Sequence, residues 1–354
     1  MLNSLKITKN VPLAPFTTLG IGGRALFFAK AETEADVKEA VGFAAARGLE
    51  LFILGGGSNI LISDSGFAGL VLQIAICGIS LQSTGEDITR ITVGAGEDWN
   101  GFTEFCVRND LAGVECLAGI PGFVGGTPVQ NVGAYGQEVS ETIVSVRCFD
   151  RTTGEIRELT NAECGFKYRQ SIFNTGERCR YIVLAVTFEL KKGGKPRIMY
   201  PDLRKALELE REKGGGEATL AEVRQMVLKI RRAKSMVIDA DDPNSKSAGS
   251  FFKNPVVPRK VYEDLTQKFG DVIPHFQLDD GQIKIPAAWL IEQSGFGKGF
   301  RMGNAGISSR HSLAIVNLGG ASAAEVIALK DKIEHAVSQK FGISLMPEPV
   351  FVGF

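Results

Sequence analysis

The 354-residue sequence predicts an α+β fold spread over more than one domain. Three observations carry that expectation. The chain exceeds the ~250–300 residues at which a single hydrophobic core stops growing. Its apolar patterning mixes runs of short strands with isolated helices instead of alternating them regularly, as a doubly wound sheet would. Its 42 glycines cluster at 20–23, 55–57, 122–126 and 214–216, where the backbone must adopt positive φ or come close to another group.

Taken in order, Ala25–Lys30 reads as a strand. A helix follows, capped by Thr33 with Asp36 three residues on, with Val37, Val41 and Ala44 on one face and Gly48 at its stop. Leu51–Leu54 is a second strand and runs into Gly55-Gly-Gly-Ser-Asn59. Short strands fill 60–96, including Ile88–Ala95, and a helix is expected near 98–109. A glycine-rich turn at 119–126 precedes strands near 142–150 and 180–190, and Lys191–Pro196 reads as a turn or linker. Thr219 and Glu222 make a capping box for a helix whose buried face is Leu220, Val223, Val227 and Ile230. A third region, about 235–340, holds a short strand at 250–254, a helix at 286–294 and a long helix at 322–340. The stripe of that last helix is Val326, Leu329, Ile333 and Val337, and Ile343–Phe354 reads as a returning strand.

Composition narrows the function. Forty basic residues balance forty acidic ones, which gives no general attraction to nucleic acid or to an anionic membrane. The basic runs Lys191–Arg197 and Lys229–Lys234 read as solvated faces. The N-terminal residues show no apolar signal region, and the longest strongly apolar stretch, Leu70–Ile79, is about half a membrane span. Six cysteines without a CxxC pair read as free thiols of a reducing cytoplasm, and three scattered histidines at 275, 311 and 335 offer no metal centre.

The glycine clusters differ in what they can bind. Gly20-Ile-Gly-Gly-Arg-Ala25 matches the dinucleotide fingerprint G-x-G-x-x-A, but a strand, not a helix, is expected to follow it. It fails its context test. Gly55–Asn59 follows a buried strand, so its N–H groups can form an anion nest, with Ser58 and Asn59 adding side-chain donors. The second cluster runs from Gly119 to Gly136 and ends in Gln130, Asn131 and Tyr135. Two such loops suit a long ligand such as a dinucleotide.

Ser247-Ala-Gly-Ser-Phe-Phe-Lys-Asn-Pro255 is a small-residue turn entering an extended segment. As a strand it would place Ser250, Phe252 and Asn254 on one face and Phe251 and Lys253 on the other. A hydroxyl and an amide could then serve a polar ligand. A core strand with two tolerated polar residues fits the segment equally.

The two glycine loops, Phe166-Lys-Tyr-Arg-Gln-Ser-Ile-Phe173, the Ser250 segment and Pro347-Glu-Pro-Val350 occur in a shared order. In this the chain resembles the UDP-N-acetylenolpyruvoylglucosamine reductase family over nearly its whole length. The resemblance implies a two-part FAD-binding domain of the vanillyl-alcohol oxidase type plus a separate α+β substrate-binding domain. The implied boundaries are 1–79 and 80–230 for the two FAD subdomains, the latter joined by a C-terminal strand at 341–354, and 231–340 for substrate. It further implies noncovalent FAD, NADPH as hydride donor, and reduction of UDP-N-acetylglucosamine enolpyruvate to UDP-N-acetylmuramate for peptidoglycan synthesis in the cytoplasm. No histidine precedes His275, so no histidine of the FAD-binding region can tether a flavin.

Matched residue by residue, the resemblance implies Ser250 as proton donor, with Arg169 and Glu348 as its catalytic partners. Gly55, Gly56, Gly57, Ser58, Asn59, Ile120, Pro121, Gly122, Gly126, Thr127, Asn131, Gly133, Ala134 and Tyr135 would hold FAD. Tyr168, Tyr200, Lys234 and Asn254 would hold substrate. The chemistry is coherent with these types. Hydride addition to an enolpyruvyl methylene carbon leaves an enolate, which a guanidinium stabilises and a positioned hydroxyl protonates. A bare carboxylate at Glu348 would repel that charge, so it must be protonated, or orient Arg169 or a water.

Overall fold

In Tyr181–Lys192 the even-numbered residues Ile182, Leu184, Val186, Phe188 and Leu190 are all buried, as period-two patterning demands of a strand lying on a core. This twelve-residue strand is central to the larger of the chain's sheets. The sheet runs in the order Glu155–Thr160, Ile143–Asp150, Tyr181–Lys192, Ile88–Gly94, Ile79–Ser83, with antiparallel pairing throughout. The computed structural model describes residues 5–85, 87–211, 217–270, 273–278 and 280–354. They divide into two units, one formed by 1–11, 25–57 and 68–237, the other by 12–24, 58–67 and 238–354.

The first unit carries a second sheet ordered Ile7–Pro12, Arg24–Ala31, Phe67–Ile74, Leu51–Leu54. Between two of these strands lies the helix Glu34–Ala46, opened by the expected Thr33–Asp36 capping box. Trp99, Phe102 and Phe188 pack with ring centroids 5.0–6.0 Å apart, and the indole N–H donates to the Leu117 carbonyl at 2.9 Å. Two helices, Pro201–Arg211 and Leu220–Ala233, bury Leu203, Leu207, Val223 and Val227 together. The first of these was not expected, because its apolar residues are sparse among charged ones.

One carboxylate outside the expected site organises this unit. Glu115 is buried and accepts from the Gly113 N–H, the Gln137 side-chain amide and the Arg197 N–H, each at 2.8–2.9 Å. It therefore ties three separate stretches of chain to one charge. Asp150, also fully inaccessible, takes three bonds from the Arg180 guanidinium at 2.8–3.2 Å.

In the second unit the helix Ala323–Phe341 buries Val326, Leu329, Ile333 and Val337, the expected stripe. Its first N–H groups are fully accounted for. Asp64 accepts from Ala323 and Ala324 at 2.7 and 2.9 Å, Ser322 Oγ accepts from Glu325, and the Ser322 carbonyl accepts from Val326. The Glu325 carboxylate turns back to the Asn304 and Ser322 N–H groups, which hold it below its ordinary pKa. Two small three-stranded sheets complete the unit, one of 256–257, 283–284 and 276–277, the other of 301–302, 305–307 and 315–317.

Three expectations are changed. The C-terminal strand covers only Val350–Val352 and pairs in parallel with Ile60–Ile62, not with a strand of residues 80–230. The reason is that Ser58–Phe67 leaves the first unit to supply that partner. The segment 250–254 is not a ladder strand, since Phe251 and Phe252 are both buried in the same core with ring centroids 5.4 Å apart. Lys229–Lys234 is not wholly a solvated face, because Arg231 is buried.

Two outcomes follow from these anchors. Asp64→Ala strips acceptors from two helix N–H groups and should lower stability by about 1–2 kcal/mol in urea unfolding, with Asp64→Asn retaining most of it. The Arg180 hydrogen bonds hold Asp150 at about 2 against the opposing effect of burial. Its contribution is therefore complete above the unfolded carboxyl pKa of about 3.9 and lost as pH falls through about 2. Asp150→Asn should flatten the acid limb of a stability-versus-pH curve across that window.

Candidate active site

The strand Leu51–Leu54 runs into Gly55–Gly57 in the first unit, where Gly55 and Gly56 are half-buried and Gly57 is buried. There Gly56 lies backbone to backbone against the second glycine loop: a Cβ on it would sit 2.6 Å from Gly122 Cα and 3.0 Å from Phe123 N. No side chain fits. Gly55 and Gly126 pose the opposite case. Neither has positive φ, and a Cβ on either would meet nothing within 4 Å. Neither conformation nor protein packing calls for glycine there, so these two positions leave open backbone faces.

The loops differ in their donors. In the second, Val124, Gly125, Gly126 and Thr127 donate their N–H groups to Glu97, Ala95, Phe123 and Val124 carbonyls. The Thr127 hydroxyl bonds the Val124 carbonyl at 2.8 Å. Asn131 is buried at φ 45°, with its amide bonding the Glu138 carboxylate at 2.7 Å and the Lys167 carbonyl at 3.2 Å, while its oxygen accepts from Ser140. These groups shape the loop. Ile120, Pro121 and Gly122 are half-buried at its start, and Gly133–Ala134 pairs with Gln137–Glu138 as a short hairpin around Tyr135.

Arg169 stands at the tip of a tight turn closed by mutual Lys167–Gln170 backbone bonds of 3.0 Å. Its φ of 55° is a conformation that side chains rarely adopt, so the fold holds it there at some energetic cost. Its guanidinium donates to the Gly133 carbonyl at 2.8 Å, which brings the turn to the second glycine loop. Tyr168 beside it is exposed, with the guanidinium carbon 5.8 Å from its ring centre.

Tyr135 and Tyr200 meet edge to face at 5.4 Å, and burial raises the pKa of both phenols. Arg231, which sequence reasoning passed over for Lys234, lies against Tyr135 and donates to the Met236 carbonyl at 2.7 Å. Burial lowers its pKa, and Tyr135 opposes that shift. Lys234 is the half-buried C-cap of the helix Leu220–Ala233. The sequence signal for Arg231 was present in the helical period, because it falls four residues after the buried Val227.

The second unit gathers the remaining candidates. Phe251 N donates to the Leu313 carbonyl, Lys253 N donates to the Met346 carbonyl, and the Phe251 carbonyl accepts from Glu348 N, at 2.8–2.9 Å. The Ser250 segment is therefore held between two other stretches, with Pro347 opposite Phe252 and Glu348 opposite Phe251. Glu348 is fixed from its other side by the Asn59 amide, which donates to its carbonyl at 3.2 Å. The Ser58 carbonyl accepts from the Thr18 hydroxyl at 3.4 Å. Asn254 does structural work with its oxygen, accepting the Ala287 N–H at 2.9 Å at the start of the helix Ala287–Gln293.

Arg169, Tyr168, Tyr135, Tyr200 and Lys234 thus belong to the first unit, and Ser58, Asn59, Ser250, Asn254 and Glu348 to the second. Among the described residues no cluster of three metal-ligating side chains occurs, and no helix is long and apolar enough to cross a membrane. The six cysteines are free thiols, and burial pushes Cys106, Cys116, Cys148 and Cys164 above their ordinary pKa.

Two family models match separate parts of the chain. The family model described as "FAD binding domain" matches residues 25–160. That described as "UDP-N-acetylenolpyruvoylglucosamine reductase, C-terminal domain" matches residues 241–352. A UDP-N-acetylenolpyruvoylglucosamine reductase of Thermobifida fusca is 44% identical over 352 residues, covering 98% of each chain. One from Streptomyces avermitilis is also 44% identical, over 97% of this chain and 94% of its own. The crystal structure of UDP-N-acetylenolpyruvylglucosamine reductase from Thermus caldophilus superposes with a TM-score of 0.66 at 27% identity, covering 98% of each chain. With such identity over nearly its full length, the chain belongs to the UDP-N-acetylenolpyruvoylglucosamine reductase family.

Proposed function

We propose that this protein is a cytoplasmic reductase that uses NADPH and noncovalent FAD to convert UDP-N-acetylglucosamine enolpyruvate to UDP-N-acetylmuramate, a precursor of peptidoglycan. The observation that carries the flavin assignment is the pair of open glycine faces at Gly55 and Gly126, flanking the backbone contact of Gly56 with Gly122. Such faces let a ligand reach the main chain closely, and the residues present fit a dinucleotide. The N–H groups of Gly56 and Gly57 are the donors we assign to its diphosphate, since those of 124–127 are already used within the loop.

Bound FAD supplies a two-electron carrier between NADPH and the enolpyruvyl methylene carbon. Overall, one hydride and one proton add across the carbon–carbon double bond, and NADPH becomes NADP+. The Arg169 guanidinium is already oriented through Gly133, so it is suited to the carboxylate and to the negative charge that grows beside it. Ser250 gives its hydroxyl proton to the α-carbon, and the backbone bonds on Phe251 and Lys253 restrict where that hydroxyl can lie. Glu348, pinned through its N–H and its carbonyl, is the third catalytic group. Tyr168, Tyr200, Lys234 and the free amide nitrogen of Asn254 are assigned to the nucleotide sugar. This reading places cofactor binding chiefly on the first unit and proton delivery on the second.

Ser250→Ala should leave reduction of the flavin by NADPH unchanged and slow its reoxidation by substrate by at least ~100-fold in stopped-flow traces. Equal rates for wild type and variant in both half-reactions would remove Ser250 from the mechanism. Purified protein should be yellow, release FAD on denaturation, and be reoxidised anaerobically by UDP-N-acetylglucosamine enolpyruvate. Colourless protein that takes up no added FAD would refute the flavin assignment.

A further inference from the structure

A concavity of about 440 Å³ opens in the first unit away from the glycine loops. It lies at the Leu51 end of the strand Leu51–Leu54, whose other end leads into Gly55. One wall is apolar, made by Val41 and Ala44 of the helix Glu34–Ala46 together with Leu49 and Leu51. That helix ends here, but its Ala44 and Ala45 carbonyls are filled by the N–H groups of Arg47, Gly48 and Leu49. The wall therefore presents hydrocarbon, with those two carbonyls already occupied.

The rest of the lining is polar: Thr152, Cys179 and three arginines. Arg180 is neutralised by Asp150 and Glu177. Arg151 is fixed by a 2.7 Å bond to the Cys179 carbonyl and has no carboxylate partner among the described residues. Arg178 is exposed and makes no side-chain hydrogen bond or ion pair among them. Two carboxylates thus answer three guanidiniums of the lining; both pair with Arg180, and Asp150 also pairs with Arg157 at 4.0 Å. What remains is two positive, donor-only groups above a hydrocarbon floor.

We propose that this concavity binds a small organic anion, with its acid group between Arg151 and Arg178 and its hydrocarbon body on Val41, Leu49 and Leu51. The volume falls within the ~300–1,000 Å³ of small-molecule sites. A cation would be repelled, a neutral hydrocarbon would leave the guanidiniums unanswered, and a bare inorganic anion would leave the apolar wall in water. The site needs both halves of an amphipathic ligand.

The cysteines provide an internal control. Cys179 lines the cavity and is exposed, Cys77 is the other exposed thiol, and the remaining four are buried. The test uses the full chain loaded with FAD, alkylated with iodoacetamide and followed by mass spectrometry at both thiols. The probes are 4-phenylbutyrate, 4-phenylbutanol and inorganic phosphate. We expect saturable protection of Cys179 but not of Cys77 by 4-phenylbutyrate, at concentrations at least ~10-fold below those needed for the alcohol or for phosphate. Arg178→Ala, which removes no side-chain hydrogen bond or ion pair among the described residues, should raise the half-protecting concentration ~10-fold or more, and Arg178→Lys should restore part of it. Protection by the alcohol at equal concentration, equal protection of both thiols, no protection at all, or an unchanged midpoint in a folded Arg178→Ala variant would each overturn the proposal.

Discussion

The contact of Gly56 with Gly122, main chain against main chain, is the constraint on which the cofactor side of this molecule depends. A single methyl group at Gly56 would collide with backbone, which unlike a side chain has no alternative rotamer to move to. The two loops can therefore approach only because both are bare at this point. Everything that shapes the second loop supports that approach. The Trp99 N–H donates to the Gly122 carbonyl, the Glu97 and Ala95 carbonyls accept the Val124 and Gly125 N–H groups, and Asn131 closes the far end on Glu138 and Lys167. The Arg169 turn leans on the same loop through Gly133. Shifting either loop would move the guanidinium with it.

Buried charge is used to hold loops, not to do chemistry, at several places in the first unit. Glu115 meets only neutral donors, three of them, and so compensates its desolvation through hydrogen bonds from three distant segments. Asp150 instead meets a guanidinium in a multidentate arrangement. In the second unit Asp64 does for a nineteen-residue helix what Glu115 does for loops.

Regular structure was legible in the sequence wherever local rules decide. The Thr33 and Thr219 capping boxes, the stripe of Ala323–Phe341 and the strand expected near 180–190 all rest on short-range patterns. The failed dinucleotide fingerprint was legible for the same reason, since the strand Arg24–Ala31 follows Gly20–Gly23. What escaped reading depends on partners far along the chain. Phe251 and Phe252 defeat strand alternation because both find the same core. Asn131 and Asn254 looked like ligand groups, yet Asn131 spends its whole amide on the protein and Asn254 its oxygen. Glu115 and Asp64 carry no local signature, because nothing in their neighbours announces burial or a capped helix elsewhere, whereas Arg231 was marked only by its helical period.

Ser58–Phe67 gives the second unit a strand, a core leucine and the Asp64 carboxylate, although most of that unit follows Ile238. During synthesis on the ribosome this decapeptide emerges long before the strand Val350–Val352 that pairs with it. That pairing cannot form while the intervening chain is being made, so the second unit is completed only after Val350–Val352 has emerged. The same threading sets a limit on dissection. A fragment cut at the start of the C-terminal family match would lack the partner strand and begin its longest helix with two N–H groups unanswered.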